Sequence, residues 1–457
     1  MKALLRSFVT PAVVALAFAT TAMGLTVSIA DHGAVSDGKT MNTAAIQSAV
    51  DACAAAGGGT VLVPAGVWLS GGIELKSNIT LELENGAVLR GSPHLADYPP
   101  NGFKHPELGE TRCLVWAIGR HNVAIRGEGT IELADTPFFD WKKLRTGLDP
   151  ADDAKLTGWQ KAQCVVTALD RPTQPIFFHE CRHVRLDGIT VTHSPCWTLV
   201  FSCCNDVWLH AVRVDNNLQI PNDDAVHFTG SSNIVVSDCI LRAGDDCIAV
   251  SAITNPDSPC ENILVTNCEL TSRSAAIRFG YRAAKVRRVT VSNLVIHDSQ
   301  RGILLQAGDG GWVEDVAMSN IVMDTHMFAG AWWGKGEPLV ITTGDSTSAR
   351  IRDVTISHVR ASAENSIVII GRHQNISDIT LDDWSVRYGY SPNSPLYGRY
   401  FDVAPAAPRP SPLNEGHMPW IYADSVAGLH LRNMSHRLRD GETHRLSLDP
   451  VLHEVTP

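Results

Sequence analysis

Short alternations of apolar and polar residues recur along this chain, and their spacing restricts the fold more than any other feature. From the triplet that begins at Val184 onward, successive triplets start 23, 27, 29, 26, 27, 38 and 25 residues apart. Alternation with a period of two predicts half-buried strands. A superperiod in the twenties predicts a solenoid whose turns bury one another's apolar faces. The sequence therefore predicts an all-β, single-stranded, right-handed parallel β-helix, with a β-sandwich as the alternative.

One helix is predicted before the repeats. Residues 43–56 are rich in alanine, and Ile46, Val50 and Cys53 fall on one face of a helix there. Three glycines follow at 57–59 and end the helical pattern. Such an amphipathic helix would cap the open end of the coil and hide its edge.

The first residues read as an export signal. Lys2 and Arg6 precede an apolar run over 8–19, and small residues follow at 22–24. The run is too short to span a membrane, so we expect no membrane insertion. The sequence predicts a signal peptide over 1–24 and a secreted or periplasmic protein. One domain follows over 25–390, and then a C-terminal extension over 391–457 that packs on the coil or trails from it.

Charge and cysteine content exclude several classes of protein. The net charge of −10 argues against a nucleic-acid binder, which needs a basic face. The eleven cysteines are odd in number and none has CxxC spacing, so we predict neither a structural zinc nor another cofactor. The chain is expected to be a monomer.

Two aspartate motifs precede equivalent strands of consecutive turns. Asn222-Asp223-Asp224 stands before 225–228, and Gly244-Asp245-Asp246 stands one turn later. Asp224 and Asp245 are 21 residues apart, so we expect their side chains to stack on one wall. Neighbouring carboxylates raise one another's proton affinity, so one acid can stay protonated while another acts as a base. The alternative is that these residues only fill turns.

The paired motifs resemble those of the polygalacturonase family, the pectin-cleaving glycoside hydrolases of family 28. That family carries Asn-x-Asp-Gly before one strand and Gly-Asp-Asp or Gln-Asp-Asp one turn later. Further similar stretches are 31–35, 37–40, 127–131 and 194–197. The resemblance implies a pectin-lyase-like solenoid. It also implies an O-glycosyl hydrolase acting on a galacturonan- or rhamnogalacturonan-type or related polysaccharide or oligosaccharide.

The resemblance also implies roles for these residues. Asp245 matches the general acid, and Asp224 and Asp246 match the pair that holds and deprotonates the attacking water, in a single displacement with inversion. Asn222 matches the asparagine that supports this wall. Asp223 stands where the family often has threonine.

The chain departs from the family one and two turns later. Ala275 occupies a position that carries histidine in the family, and Leu304-Leu305-Gln306 replaces its Arg-Ile-Lys. Without those two cations, the carboxylate of a uronic acid would lose charge-assisted hydrogen bonds. We expect substrate contacts from replacement residues near these positions. The predicted substrate-binding residues are Asn222, Asp223, His227, Arg278, Arg301, Gln306, Trp332 and Trp333.

The two tryptophans stand in a glycine-rich excursion inside the longest repeat, at 332–338. Adjacent tryptophans cannot both pack on one strand face, so one of them could stack on a sugar. The alternative is a loop anchored by tryptophan as a hydrophobic plug. If the loop rises beside the carboxylates, it would favour attack at a chain end.

Two other functions stay open at this point. A polysaccharide lyase on the same fold would need a Ca²⁺ cage of acids and an Arg or Lys base. A non-catalytic glycan-binding β-helix would bind sugar without turnover.

Overall fold

The computed structural model describes residues 24–403 and 418–456, except 256, 399 and 445. Residues 1–23 of the predicted signal peptide and the proline-rich stretch 404–412 lie outside the described residues. Among the described residues, no helix is long and apolar enough to cross a membrane.

The described part of the chain is built mostly from short strands. The helices are α1 Thr43–Ala55, α2 Pro150–Asp153, α3 Gly158–Lys161 and α4 Ser394–Tyr397, with 3₁₀ turns at Ile29–His32, Leu95–Asp97 and Thr136–Phe138. The strands are β1 Leu25–Ser28, β2 Asp37–Met41, β3 Gly59–Val63, β4 Gly66–Ser70, β5 Ile73–Glu74, β6 Ile79–Leu83, β7 Ala87–Gly91, β8 Pro100–His105, β9 Gly109–Arg112, β10 Val115–Ile118, β11 His121–Gly127, β12 Thr130–Glu132, β13 Phe139–Arg145, β14 Val165–Ala168, β15 Ile176–His179, β16 Arg182–Asp187, β17 Thr190–Thr192, β18 Leu199–Ser202, β19 Asn205–His210, β20 Arg213–Asp215, β21 Val226–Thr229, β22 Ser232–Ser237, β23 Ile240–Ala243, β24 Ile248–Ser251, β25 Cys260–Ser272, β26 Ala275–Phe279, β27 Lys285–Ser299, β28 Arg301–Gln306, β29 Trp312–Thr325, β30 Leu339–Thr342, β31 Arg350–Ala363, β32 Ile367–Ile370, β33 Ile376–Tyr388, β34 Ile421–Arg432, β35 Ser435–Leu438 and β36 Val451–Val455.

These strands form a right-handed coil with three faces of parallel strands, as predicted. Face 1 begins with β1, β3, β6, β11, β16, β19 and β22, and face 2 begins with β2, β4, β7, β12, β17, β20 and β23. Face 3 contains β5, β10, β15, β18, β21, β24, β26, β28, β30 and β32. The long strands β25, β27, β29, β31 and β33 each bend and run through faces 1 and 2. One continuous apolar core fills the interior.

Asparagines in the left-handed region bend the long strands at the same level in successive turns. Asn267, Asn293 and Asn320 have φ values of 55°, 57° and 59°. Asparagine tolerates this conformation better than other residues with a side chain. The Asn320 amide donates to Asn293 over 2.6 Å, and the Asn293 amide donates to Asn267 over 3.0 Å. The ladder therefore ties consecutive turns together at their bends.

Helix α1 lies at the first turns of the coil, as predicted. Its buried residues are Ile46, Ala49, Val50 and Cys53. Behind the helix, Gly59 has φ +149°, and a Cβ atom there would lie 2.1 Å from the Leu25 carbonyl oxygen. Only glycine fits where the returning chain meets β1, because any side chain would strike the backbone.

The coil continues beyond residue 390, where the sequence placed the start of an extension. Strand β34 pairs with β32 and β33, β35 pairs with β33, and β36 pairs with β34. The repeat resumes after the break because Ile421 and Ala423 again point into the core. All eleven cysteines are free.

Face 3 is covered from outside along most of its length. Its outward side chains form one row, called here the outward row, which consists of Trp116, Phe177, Val200, His227, Ala249, Arg278, Leu304, Val340, Val368 and Tyr422. The β8–β9 hairpin packs on its beginning, where the Phe103 ring lies 5.1 Å from the Phe177 ring. Phe401 and Val403 pack on its end. The middle of the row is where the aspartate motifs lie.

Candidate active site

The two aspartate motifs lie on adjacent turns, directly before β21 and β24. The register pairs Val226 with Ile248, so that Asp224 lies beside Asp246 and Asp223 lies beside Asp245. The Ala225 amide donates to the Asp246 carbonyl over 2.9 Å, which continues this register. The stacking therefore differs by one residue from the expected pairing of Asp224 with Asp245, because this turn is 22 residues long.

A cavity of about 110 Å³ opens over these motifs in the middle of the outward row. Three of the predicted carboxyl groups face it, those of Asp224, Asp245 and Asp246. The other lining residues are Glu107, Trp197, Asn222, Ile253, Ser274, Arg278, Tyr281, Leu304 and Trp333. The cavity thus combines three neighbouring acids with apolar and aromatic walls.

Asp245 has the surroundings of a carboxyl group that holds its proton. Burial raises its pKa well above the usual range, and the negative charges of Asp224 and Asp246 raise it further. Its Oδ1 accepts a hydrogen bond from the Asp246 amide over 2.9 Å, and Asn222 Nδ2 lies 3.5 Å from its Oδ2. Asn222 thus contacts Asp245 at the wall of the cavity.

Asp246 is held by a buried cation. Arg278 Nε donates to Asp246 Oδ2, and the Ala275 amide donates to its Oδ1 over 3.0 Å. The same guanidinium lies 3.9 Å from Asp224 Oδ2. These contacts fix the orientation of the Asp246 carboxyl group beside the guanidinium.

The carboxyl group of Asp224 contacts the buried ring of His227. His227 Nδ1 lies 2.8 Å from Asp224 Oδ2, and its Nε2 lies 2.8 Å from Ser251 Oγ. Burial and the nearby Arg278 lower the pKa of His227 to about 3, so that the ring is neutral. The Trp197 ring covers it, 4.1 Å away. His227 therefore does not reach the cavity where a substrate contact was expected, and acts on Asp224 instead.

Asp223 is buried beneath the cavity and does not line it. It is 0% exposed, and neither carboxyl oxygen has a hydrogen-bond partner among the described residues. Burial and the charges of Asp245 and Asp224 raise its pKa well above the usual range. The predicted substrate contact at this position is therefore absent.

The adjacent tryptophans divide between the two expected roles. Trp332 is buried beside Val165 and Phe328, and its Nε1 donates to the Gln163 carbonyl over 2.8 Å. Trp333 is half-buried and lines the cavity. Trp332 is thus the loop anchor and not a substrate contact, and only Trp333 faces the site.

Two further predicted contacts lie away from the cavity. The Arg301 side chain is 0% exposed and bound inside the fold, with its Nε 3.7 Å from Glu337 and its Nη2 3.5 Å from Asp402. Its charge lies inside the fold, between Glu337 and the segment that carries Asp402. Gln306 lines a second cavity, which shares Tyr281 with the first.

Several lining residues were not predicted as site residues. Glu107 comes from the β8–β9 hairpin, and Tyr281 follows β26. The Glu107 carboxylate lies 3.2 Å from Arg282 and accepts from the Tyr281 hydroxyl over 3.4 Å. No sequence motif marks this contact, since the residues are 174 positions apart. Trp197 and Leu304 had a signal, the first in the stretch 194–197 and the second in the triplet that replaces Arg-Ile-Lys.

Two family models match the chain, and both descriptions concern carbohydrate-active proteins. "Glycosyl hydrolases family 28" matches residues 119–397, and "Rhamnogalacturonase A/epimerase, pectate lyase-like" matches 26–87. A structure of the "Yersinia enterocolitica Family 28 Exopolygalacturonase" superposes with a TM-score of 0.69 at 20% identity, over 94% of this chain and 78% of that one. This likeness shows a shared fold.

Curated relatives are similar in sequence over most of the coil. "Probable polygalacturonase" of Vitis vinifera is 26% identical over 327 residues, which cover 68% of this chain and 62% of that protein. "Exo-poly-alpha-D-galacturonosidase" of Dickeya chrysanthemi is 27% identical over 339 residues, which cover 66% and 56%. The chain thus spans less than two thirds of the length of either relative. Because the family 28 match covers more than half of the chain and includes both aspartate motifs, this protein belongs to glycosyl hydrolases family 28.

Proposed function

We propose that this protein hydrolyses glycosidic bonds of a pectic polysaccharide or oligosaccharide, of galacturonan or rhamnogalacturonan type, or of a related glycan. One observation carries the proposal: Asp224, Asp245 and Asp246 face a single cavity at the middle of the outward row. Glycoside hydrolysis needs one protonated carboxyl group and one carboxylate on opposite sides of the scissile bond. Burial holds the proton on Asp245, and the guanidinium of Arg278 lies beside Asp246 and Asp224.

In the proposed mechanism, Asp245 gives its proton to the departing glycosidic oxygen. Asp224 and Asp246 hold a water molecule and take its proton as the water attacks the anomeric carbon from the opposite face. The configuration at that carbon is inverted, since the water attacks in a single displacement. Arg278 and His227 orient the two bases, through contacts to Asp246 and Asp224.

We also propose that the enzyme acts at chain ends. The hairpin covers the first part of the outward row and Phe401 covers the last part, so in the described part of the chain face 3 is open to a polymer only between these two covers. The named exopolygalacturonase and exo-galacturonosidase among the similar proteins support this mode. A defined oligosaccharide is expected to lose terminal units first, and predominance of internal cuts would contradict this part.

Location and assembly belong to the same proposal. Residues 1–24 would direct export to the periplasm or the medium, and the mature chain would act as a monomer on the polysaccharide. The hydrolase unit would be the 25–390 domain together with the C-terminal strands that continue its coil.

The test is reducing-sugar release by the purified mature protein beside its Asp245→Asn variant. The panel holds polygalacturonate, rhamnogalacturonan and neutral polysaccharides. Loss of the general acid should lower kcat by about 10²- to 10⁴-fold. Asp238→Asn is the matched control, because Asp238 is exposed on another face. NMR of the first-formed anomer would then check inversion.

Each outcome separates the proposal from its alternatives. Equal release by wild type and Asp245→Asn would contradict the assigned acid. An unsaturated product that absorbs in the ultraviolet would indicate a lyase. Glycan binding without turnover in a folded protein would indicate a binding module.

A further inference from the structure

The wall of the cavity that follows Arg278 along the outward row is apolar. Leu304 stands next to Arg278 in the strand register, and it is buried against Val340 and Val368. Trp333 and Tyr281 also line the cavity. This wall offers aliphatic and aromatic carbon to a sugar and no charged group.

The cavity contains one cation among the described lining residues, and that cation already contacts two enzyme carboxylates. Arg278 Nε donates to Asp246, Nη1 donates to the Gly280 carbonyl over 3.3 Å, and Nη2 lies 3.9 Å from Asp224. Its side chain is 10% exposed. A substrate carboxylate would have to compete with two enzyme carboxylates for this guanidinium.

The remaining charges near the cavity do not favour an anion. Four acids line it, Asp224, Asp246, Glu107 and the protonated Asp245, against the single cation Arg278. Two other guanidiniums lie close by: that of Arg282, in the neighbouring cavity, is bound to Glu107 over 3.2 Å, and that of Arg171 donates to Asn222 over 3.4 Å and to two backbone carbonyls. Bringing an unpaired carboxylate among these acids would cost free energy through repulsion and desolvation.

We infer that the sugar held in this cavity carries no free carboxylate: it is a neutral sugar or an esterified uronate. The inference rests on the proposed function, because the cavity is taken as the place where the scissile bond is held. The shared chemistry is a pyranose whose C5 substituent is uncharged, packed against Leu304 and Trp333.

A binding experiment tests this inference without turnover. D-galacturonic acid, its methyl ester and D-galactose differ at C5 mainly in charge and size, and no glycosidic bond is present in any of them. We expect calorimetry on the wild-type protein at pH 6 to give at least tenfold tighter binding for the ester or the neutral hexose. Tighter binding of the free acid would overturn the inference. Comparing the affinities of the methyl ester and of galactose shows whether the cavity prefers an esterified uronate or a neutral sugar.

A designed cation provides the second measurement. Trp333→Lys places an ammonium group on the half-buried loop wall, and Trp333→Gln is the uncharged control of similar size. We expect the lysine variant to bind galacturonic acid at least tenfold more tightly than the glutamine variant, with no such gain for galactose. Unchanged preference in both variants would mean that the acid binds elsewhere or that Arg278 already accepts it, and would overturn the inference.

The outcomes keep the inference and the proposed function apart. Faster cleavage of polygalacturonate than of its methyl ester, lost in Asp245→Asn, would overturn the inference and leave the hydrolase function standing. Tighter binding of the uncharged sugars with no hydrolysis of any polymer would support the inference about the cavity and contradict the hydrolase function.

Discussion

At the scale of single residues, Arg278 is the group on which the ionisation of the site depends. It lies between Asp246 and Asp224, and its charge lowers the pKa of Asp224 and of Asp245, against the larger effect of burial. Three acids so close together could not otherwise stay partly ionised. The arginine also interrupts an apolar strand, where Ile277 and Phe279 point into the core.

Replacing Arg278 by methionine is expected to shift the acidic limb of the pH–rate profile to higher pH. Without the cation, the pKa of Asp224 rises further, so the base is ionised only at higher pH. At pH 5 we expect kcat to fall by at least about a hundredfold. Arg242→Met is the control, because its guanidinium pairs with exposed Asp215 on another face. An unmoved acidic limb would show that Arg278 does not tune the acids.

The two tryptophans should respond differently to truncation. Trp333→Ala removes a stacking surface and should raise KM about tenfold, an effect of about 1.4 kcal/mol, with little change in stability. Trp332→Ala removes a buried anchor and should lower the free energy of unfolding by about 3–5 kcal/mol. Urea unfolding and steady-state kinetics on both variants check this. A larger KM effect for Trp332 would reverse the assignment.

At the scale of elements, the β8–β9 hairpin depends on a neutral histidine. His105 Nδ1 accepts hydrogen bonds from the Glu107 and Leu108 amides, each over 3.1 Å. Burial, and to a lesser extent the neighbouring His227, lowers the pKa of His105 to about 4. Protonation would remove both hydrogen bonds. The segment that places Glu107 at the wall of the cavity would then lose its attachment to His105.

The stability that His105 contributes should therefore be complete above about pH 6.5 and be lost as the pH falls toward 4. In the unfolded chain His105 binds the proton more tightly, with a pKa of about 6.5. Protonation therefore lowers the free energy of unfolding by about 1.4 kcal/mol for each unit of pKa difference, or about 3 kcal/mol in all. His105→Asn keeps an acceptor that does not titrate and should flatten the dependence over this range. Urea midpoints from pH 7 to pH 4 measure it, and parallel curves for the two proteins would contradict the role.

At the scale of the whole molecule, both ends of the outward row are closed by parts of the chain distant in sequence. Phe401 packs with its ring 4.9 Å from that of Tyr422 and shares a cluster with Val340 and Val368. The chain beyond residue 390 is thus part of the coil and of its cover. A chain cut there would expose a hydrophobic strand edge.

Phe401→Ala is expected to destabilise the protein by about 3–4 kcal/mol, since it leaves a cavity over the end of the row. Leu452→Ala, at a side chain that is 48% exposed on β36, should change stability by less than about 0.5 kcal/mol. Urea unfolding compares the two. Equal small effects would show that the segment around Phe401 lies on the coil without stabilising it.

Much of the fold followed from periodicity alone. Alternation and the superperiod predicted parallel strands, because each turn of a solenoid buries the same positions as its neighbours. The apolar face of the alanine-rich segment 43–56 predicted the capping helix. The end of the coil was placed too early, since a break in the pattern after Trp384 hid the strands that resume at Ile421. A local pattern cannot show that a chain returns to an edge after an irregular segment.

The sequence by itself determined which acids meet, because Asp224, Asp245 and Asp246 precede strands that a solenoid must stack. Only the tertiary structure decided what surrounds them. Arg301 and Arg278 are both cations on face 3 strands, yet one is bound inside by Glu337 and Asp402 and the other stands among the acids. Glu107 and Tyr281 meet across 174 residues. Such contacts depend on how the covering segments pack against the coil. The spacing of residues along the chain therefore does not predict which charged groups are buried there.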